Sequence, residues 1–322
     1  MTDKTENDMF EKITEKINGA ESILIFTHIN PDGDAIGSSW ALMKALGKIG
    51  KKAQIILNEP LGDFFSMFGS DYPTPETFSG EYDLKIALDS SDTKRLGKAY
   101  EFFKGDTVLI DHHGTNTRYA GICYVDEDSP STGEIIFDLL EEMGIERDRE
   151  ISNGIYAALM TDTGGFMYSN TTADTHKKAA LLIESGAEYI MLNRKLNVEK
   201  SYKMHRLSAH CIDCMEFFED GKICLSFFDN KFCEENNITL DDLNGMSGVV
   251  SSVKGVEIAI LISETVKGEL KVSLRSVENA DVSVISTAFG GGGHMKAAGF
   301  LAENISYDEL KNKLIEMARE RI

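Results

Sequence analysis

The sequence has no long apolar run, no disulfide framework and no surplus of basic residues, and each lack removes a class of protein. No segment approaches the ~18 uninterrupted apolar residues of a membrane-spanning helix. The first residues, MTDKTENDMFEKITEKI, are charged and amphipathic, without the apolar stretch of a secretory signal. Five cysteines in 322 residues, an odd number, do not make a disulfide scaffold, and a reducing, cytoplasmic location is expected. Lys and Arg number 33 against 53 Asp and Glu, a formal net charge of -20. That balance lacks the basic surface needed to grip long duplex nucleic acid. It leaves a small anionic substrate open, because clustered carboxylates can hold divalent metals that then supply local positive charge. Internal repeats and low-complexity segments are also missing.

What is present suffices for a folded enzyme-sized chain. Hydrophobic residues make up 42% of it, and the length allows two domains. In the first half, short apolar runs alternate with helical patterns. Strands are expected at 22–28, 53–58, 82–89 and 107–111. Helices are expected at 35–46, 133–143, 152–160 and 175–185, with Ser131 and Glu134 forming a capping box. Alternation of this kind implies an α/β, doubly wound, mainly parallel sheet over residues 1–188. A mostly helical connector, 189–217, contains neither Gly nor Pro. Its basic run, Arg194, Lys195, Lys200, Lys203 and Arg206, reads first as a solvated helix face. Its alternative reading is a cationic segment beside the path of an anionic substrate. Residues 218–322 read as a smaller α/β domain, with strands near 222, 255 and 270 and a helical pattern at 243–253.

The chemistry concentrates where strands end. FTHINPDGDA presents His28, Asp32 and Asp34; IALDSSD presents Asp89; VLIDHHGTN presents Asp111, His112 and His113; and ALMTDTGGF presents Asp162 after a helix. Any one of these is ordinarily a turn former, a helix cap or a surface histidine. Together they repeat the same polar types at the carboxyl ends of buried strands, where open parallel sheets bind ligands. Mixed carboxylate and imidazole donors favour Mn²⁺ or a similar first-row ion over Ca²⁺. Four aspartates and two histidines are enough for two metals, and a carboxylate between them can bridge. Such a pair suits in-line displacement at phosphorus by an activated water.

The four motifs, in this order, resemble those of the DHH phosphoesterase superfamily, named for the triplet found here as Asp111-His112-His113. VSLRS and FGGGGHMKAAGF resemble its DHHA1 domain, so the resemblance spans nearly the whole chain, and it is strongest to the stand-alone nano-RNase and pAp-phosphatase branch. It implies one metal on His28, Asp32 and Asp89 and another on Asp34, Asp89, His112 and Asp162, two Mn²⁺ with Mg²⁺ or another divalent ion able to substitute in vitro. It implies that His113 faces the reacting phosphate and that Asp111 orients an imidazole. It implies a substrate grip by Arg275, Gly291, Gly292, Gly293 and His294, with the glycines leading into a helix that begins near His294. It also implies a homodimer. The implied activity is hydrolysis of short oligoribonucleotides to 5′-mononucleotides and removal of the 3′-phosphate of pAp, the second domain limiting substrate length.

A cyclic-dinucleotide phosphodiesterase acting on c-di-AMP or pApA needs the same metals and phosphate grip, and the motifs do not separate the two. A manganese pyrophosphatase shares the first four motifs but not the glycine-rich segment. A processive exonuclease would need further nucleic-acid-binding domains. A catalytically silent nucleotide sensor is the reading from another class. Cys211-Ile-Asp-Cys214, with His205 and His210 nearby, lacks a second ligand pair at zinc spacing and reads as incidental. His176 reads as an ordinary helix position, and the aromatic stretch 63–70 as core or lid.

Overall fold

The structure, a computed structural model, describes residues 2–61, 63–240, 242–265 and 268–322, with side chains 2–7, 63 and 64 left aside. The chain divides into two compact units between Glu199 and Lys200.

The first unit contains α1 (Thr2–Gly19), β1 (Ser22–Phe26), α2 (Gly33–Lys48), β2 (Lys52–Ile56), β3 (Leu84–Leu88), β4 (Asp106–Asp111), β5 (Ile122–Val125), α3 (Thr132–Glu142), α4 (Arg149–Asp162), α5 (Ala173–Glu184) and α6 (Tyr189–Asn193). Its five strands are all parallel, in the order β2-β1-β3-β4-β5. Successive side chains leave opposite faces of a strand. Ile23 and Ile25 therefore enter the core formed with the helices, and Leu24 and Phe26 enter a second cluster. That second cluster is closed by aromatic residues such as Tyr82 and Phe103. Phe68, from the aromatic stretch, is buried in the helical core, while the Phe64 side chain lies outside the described residues.

The strand order reverses direction between β1 and β3. Such a switch point opens a crevice at the carboxyl ends of the strands. His28 follows β1, Asp89 follows β3, and the Asp111-His112-His113 triplet follows at the end of β4. The topology thus converts three sequence-distant strand ends into neighbours.

The connector is not one helix. A short π-helical turn, Arg194–Val198, follows α6, and the chain then extends at Glu199 and Ser201. The helical path is therefore interrupted inside the connector. The second unit holds α7 (Tyr202–Asp213), β6 (Glu216–Phe218), β7 (Ile223–Phe228), α8 (Asn230–Glu235), α9 (Met246–Ser251), β8 (Ile258–Glu264), β9 (Leu270–Ser276), α10 (Val282–Ala288), β10 (Gly292–His294), β11 (Ala297–Ala302) and α11 (Tyr307–Arg319). Its mixed sheet runs β10-β11-β9-β8-β7-β6.

The helix expected to begin near His294 does not form. Gly290 sits just past the end of α10 at φ 78°, so the glycine run ends a helix instead of starting one. Gly292–His294 then pairs antiparallel with β11, and β11 pairs with β9. Long-range pairing decides this segment. Ala298, Phe300 and Ala302 are buried at period two against β9, a fit that a helix would destroy.

Candidate metal centre

Each donor is aimed by its own backbone surroundings. His28 is buried and donates from Nδ1 to the Ile29 carbonyl at 2.8 Å. Its Nε2 therefore points at the Asp32 and Asp89 carboxylates, 3.8 and 3.6 Å away. Asp32 caps α2: Oδ1 accepts from the Asp34 and Ala35 amides, leaving Oδ2 toward His28. Asp34 is fully buried and accepts from the Thr132 and Gly133 amides at 2.7 and 2.8 Å. These are orphan donors at the start of α3, where a carboxylate is favoured.

Asp89 occupies the centre. Its backbone lies at φ 54°, a left-handed conformation that costs energy for a non-glycine residue and often marks a functional site. One of its oxygens, Oδ2, faces His28, while Oδ1 lies 3.5 Å from His112 Nε2 and accepts from the Thr132 hydroxyl at 3.2 Å. Asp162, the last residue of α4, brings Oδ2 within 3.2 Å of the same His112 nitrogen. This approach needs Gly33, because a Cβ there would meet the Thr161 side chain at 2.3 Å.

The donors form overlapping triplets whose ligand atoms all lie within 4.8 Å of one another: His28, Asp32 and Asp89; Asp34, His112 and Asp162; and Asp89, His112 and His113. The structure thus brings together His28, Asp32, Asp34, Asp89, Asp111, His112, His113 and Asp162. His112 Nδ1 lies 3.3 Å from the Ser129 carbonyl and donates to it. Its Nε2 is buried among carboxylate oxygens with no aligned hydrogen-bond partner. An unpaired imidazole lone pair facing several carboxylates is the arrangement that a bound divalent cation satisfies. The residues present therefore fit a metal centre, and Asp89 belongs to two of its three donor triplets.

Electrostatics agree. Burial, reinforced by Asp89 and Asp162, pushes the Asp34 carboxyl well above its usual range. Burial also raises Asp162, although His112 opposes it. Burial alone would lower the histidines, yet the carboxylates override it. Asp32 and Asp89 lift His28 to about 10, and Asp162 and Asp89 lift His112 to about 12. Without another cation, the imidazoliums supply the missing positive charge.

His113 has a different setting. Its Nδ1 donates to Asp111 Oδ1 at 2.8 Å, and its side chain stays partly open to solvent. This bond, despite partial burial, raises its pKa. Asp111 is itself buried and also accepts from the Asn116 amide at 2.5 Å. Asn116, which in turn donates to the Ser90 carbonyl, and Thr132 were not singled out from sequence. Asn116 stands in the same VLIDHHGTN stretch as the triplet. Thr132 follows the Ser131 cap, but only folding shows that its hydroxyl reaches Asp89.

In the second unit, Ala297 pairs with Arg275 on one side and with His294 on the other. Directly opposed residues share a sheet face, so Arg275 and His294 flank Ala297, two strand spacings or roughly 10 Å apart at the backbone. Gly292, Gly299 and Ser273 form the next row on that face. The result is a floor of small residues between a guanidinium and an imidazole. Gly291 packs tightly, since a Cβ would meet the Gly299 carbonyl at 2.4 Å, and Gly293 adopts φ 142°.

Residues 22–162 match the DHH family, N-terminal domain, and residues 220–322 match the DHHA1 domain. The chain is 30% identical to a bifunctional oligoribonuclease and PAP phosphatase, NrnA, of Thermus thermophilus, over 96% of this chain and 93% of that one. The chain belongs to the DHH family of phosphoesterases. Like other DHH phosphoesterases it is a hydrolase, and its acid and imidazole clusters suit the divalent metals such enzymes use. It is also 27% identical to a probable bifunctional oligoribonuclease and PAP phosphatase of Streptococcus mutans, over 95% of this chain and 99% of that one. Among solved structures, an exopolyphosphatase-related protein from Bacteroides fragilis superposes with a TM-score of 0.87 at 27% identity, covering 97% of this chain and 96% of that one. No helix among the described residues is long and apolar enough to cross a membrane.

Proposed function

We propose that this DHH phosphoesterase cleaves very short oligoribonucleotides to 5′-mononucleotides and removes the 3′-phosphate of pAp. The observation that carries the reading is Asp89, whose two oxygens face two separate His–Asp groups beside a histidine that none of the assigned ligands requires. The names of the Thermus thermophilus and Streptococcus mutans relatives support the substrate class.

His28, Asp32 and Asp89 would hold one Mn²⁺, and Asp34, Asp89, His112 and Asp162 the other. When bound, the metals would supply Lewis acidity toward the phosphate and a water acidic enough to attack at neutral pH. The chain's own residues do the rest. Asp111 fixes the proton on His113 Nδ1, so Nε2 is the nitrogen that exchanges a proton with substrate. In its protonated form His113 would give that proton to the leaving ribose oxygen as the phosphorus–oxygen bond breaks. Arg275 and His294, with the backbone of Gly291, Gly292 and Gly293, would bind the remaining phosphate or sugar. A cytoplasmic homodimer completes the proposal, and sedimentation showing a monomer at micromolar concentration would remove that part.

The test is a comparison of initial rates with Mn²⁺ on pApA, pAp, c-di-AMP, a longer RNA and pyrophosphate. Fast loss of pApA and pAp with slow loss of the others is expected. Preference for c-di-AMP would overturn the assignment in favour of cyclic-dinucleotide turnover, and Mn²⁺ binding without turnover of any substrate would leave a sensor.

A further inference from the structure

The second unit holds a pocket that is not part of the metal centre or of the Arg275–His294 face. Its volume is about 220 Å³, and it lies between α7 and α8. Leu207, Phe232 and Ile238 supply apolar walls, and Tyr202, Arg206 and Asn236 stand around them. Phe232 is held in place by stacking on His210. We propose that this pocket binds a single 5′-mononucleotide, with the base against Tyr202 and Phe232 and the phosphate on Arg206.

Three observations select that ligand. First, size: a pocket of about 220 Å³, below the roughly 300–1,000 Å³ of sites that enclose a drug-sized ligand, takes one base ring, with the sugar and phosphate along its open side beside Arg206. Second, charge: of the two cations at the pocket, Lys203 is committed to Asp242 at 2.5 Å, whereas Arg206 is exposed and forms no ion pair among the described residues. One free guanidinium in a chain of net charge -20 matches one phosphate. Third, chemistry: Tyr202 is 80% exposed, an unusual setting for a large aromatic ring, and its face is free to stack. Asn236 donates to the Phe232 carbonyl at 2.9 Å, which fixes its side chain and leaves Oδ1 to accept from a base amino group. The basic run that the sequence places at 194–206 thus divides in the fold. Arg194 pairs with Glu199 and Lys203 with Asp242, and of the three cations of the run without an ion pair among the described residues, Lys195, Lys200 and Arg206, Arg206 is the one that lines the pocket.

The experiment is calorimetric titration of AMP into the full chain in EDTA, so that the metal centre does not contribute. A saturable site is expected. Arg206→Glu and Tyr202→Ala, both surface changes with little effect on folding, are each expected to weaken it about tenfold or more. Arg275→Ala and His113→Ala are expected to leave it within about twofold. Adenosine and ribose 5-phosphate, each lacking half of the ligand, are expected to bind at least about tenfold more weakly than AMP. Absence of saturable binding, affinity unchanged in Arg206→Glu, loss in Arg275→Ala, or equal binding of ribose 5-phosphate would each overturn the proposal. Because no turnover is measured, these outcomes are separate from the rate comparison that tests the phosphoesterase reading.

Discussion

His113 Nδ1 and Asp111 Oδ1 lie 2.8 Å apart, and the pair has one buried and one open end. The buried end is anchored by Asn116. The open end leaves His113 Nε2 toward solvent, while the neighbouring His112 turns its Nε2 inward to carboxylates. Two adjacent imidazoles therefore have different surroundings. His113→Ala is expected to lower kcat by about 10²–10⁴-fold, the range for removal of a positioned acid–base group, with both metals retained. Metal analysis of the purified variant checks this, and loss of metal would show that His113 is a ligand.

Metal removal should make stability depend on pH in a definite direction. In the metal-free fold His28 titrates near 10, against about 6.5 for an unfolded histidine. Its contribution is full below 6.5 and is lost as pH rises toward 10. Asp34, raised by burial, works in the same direction, because the fold resists its ionisation. Asp89, held low, is ionised throughout this window. A divalent ion replaces the imidazolium charge and competes with protons. The gap in Tm between Mn²⁺-loaded and EDTA-treated protein should therefore widen from pH 6 to pH 9. At a hundredfold excess of metal over Kd the stabilisation is about 2.7 kcal/mol. A gap that narrows over this range would contradict the assignment of these residues as ligands.

Thr132 gives a subtler test. Its amide donates to Asp34 and its hydroxyl to Asp89, so one residue orients both carboxylates. Thr132→Val keeps the amide and the shape but removes the hydroxyl. Partners of this kind are worth about 10–100-fold in metal affinity, and a loss of about tenfold in Mn²⁺ affinity is expected by titration, with Tm in EDTA little changed.

The sequence made the donors legible because strand ends are written locally: a buried apolar run stops, and an acid or imidazole follows. Their convergence was also legible, since parallel strands deliver their carboxyl ends to one edge. The support around them was not. The left-handed backbone of Asp89 and the reach of Thr132 to residues 98 and 43 positions away exist only after folding. The segment Ala297–Ala302 misled for a related reason. A six-residue apolar run is compatible with helix or strand, and only pairing with β9 decides it.

Arg275 shares its sheet face with the row Ser273, Gly299 and Gly292, whose side chains are small or absent. If it binds a part of the substrate remote from the reacting phosphate, Arg275→Ala should raise KM for pApA about tenfold or more while changing kcat less, the signature of lost uniform binding. An equal fall in kcat and kcat/KM would instead place Arg275 at the reacting phosphate.

The approach of α2 to α4 sets the spacing of Asp34 and Asp162, and glycine permits it. A Cβ on Gly37 would lie 2.4 Å from the Gly154 carbonyl, and one on Gly154 would lie 2.6 Å from the Gly37 carbonyl. Asp34 precedes Gly37 by one helical turn, and Asp162 follows Gly154 by about two. Gly37→Ala is expected to cost about 1–3 kcal/mol in urea unfolding, as overpacking does, and to weaken Mn²⁺ binding by separating the helices. Gly47, on the same α2, has nothing within 4 Å of its Cβ position. Gly47→Ala should therefore stabilise by about 0.4–1 kcal/mol through reduced unfolded-state entropy and leave metal affinity unchanged. Opposite signs for the same chemical change on one helix would separate close packing from helix propensity. If Gly37→Ala behaved like Gly47→Ala, the helix contact would not control the metal centre.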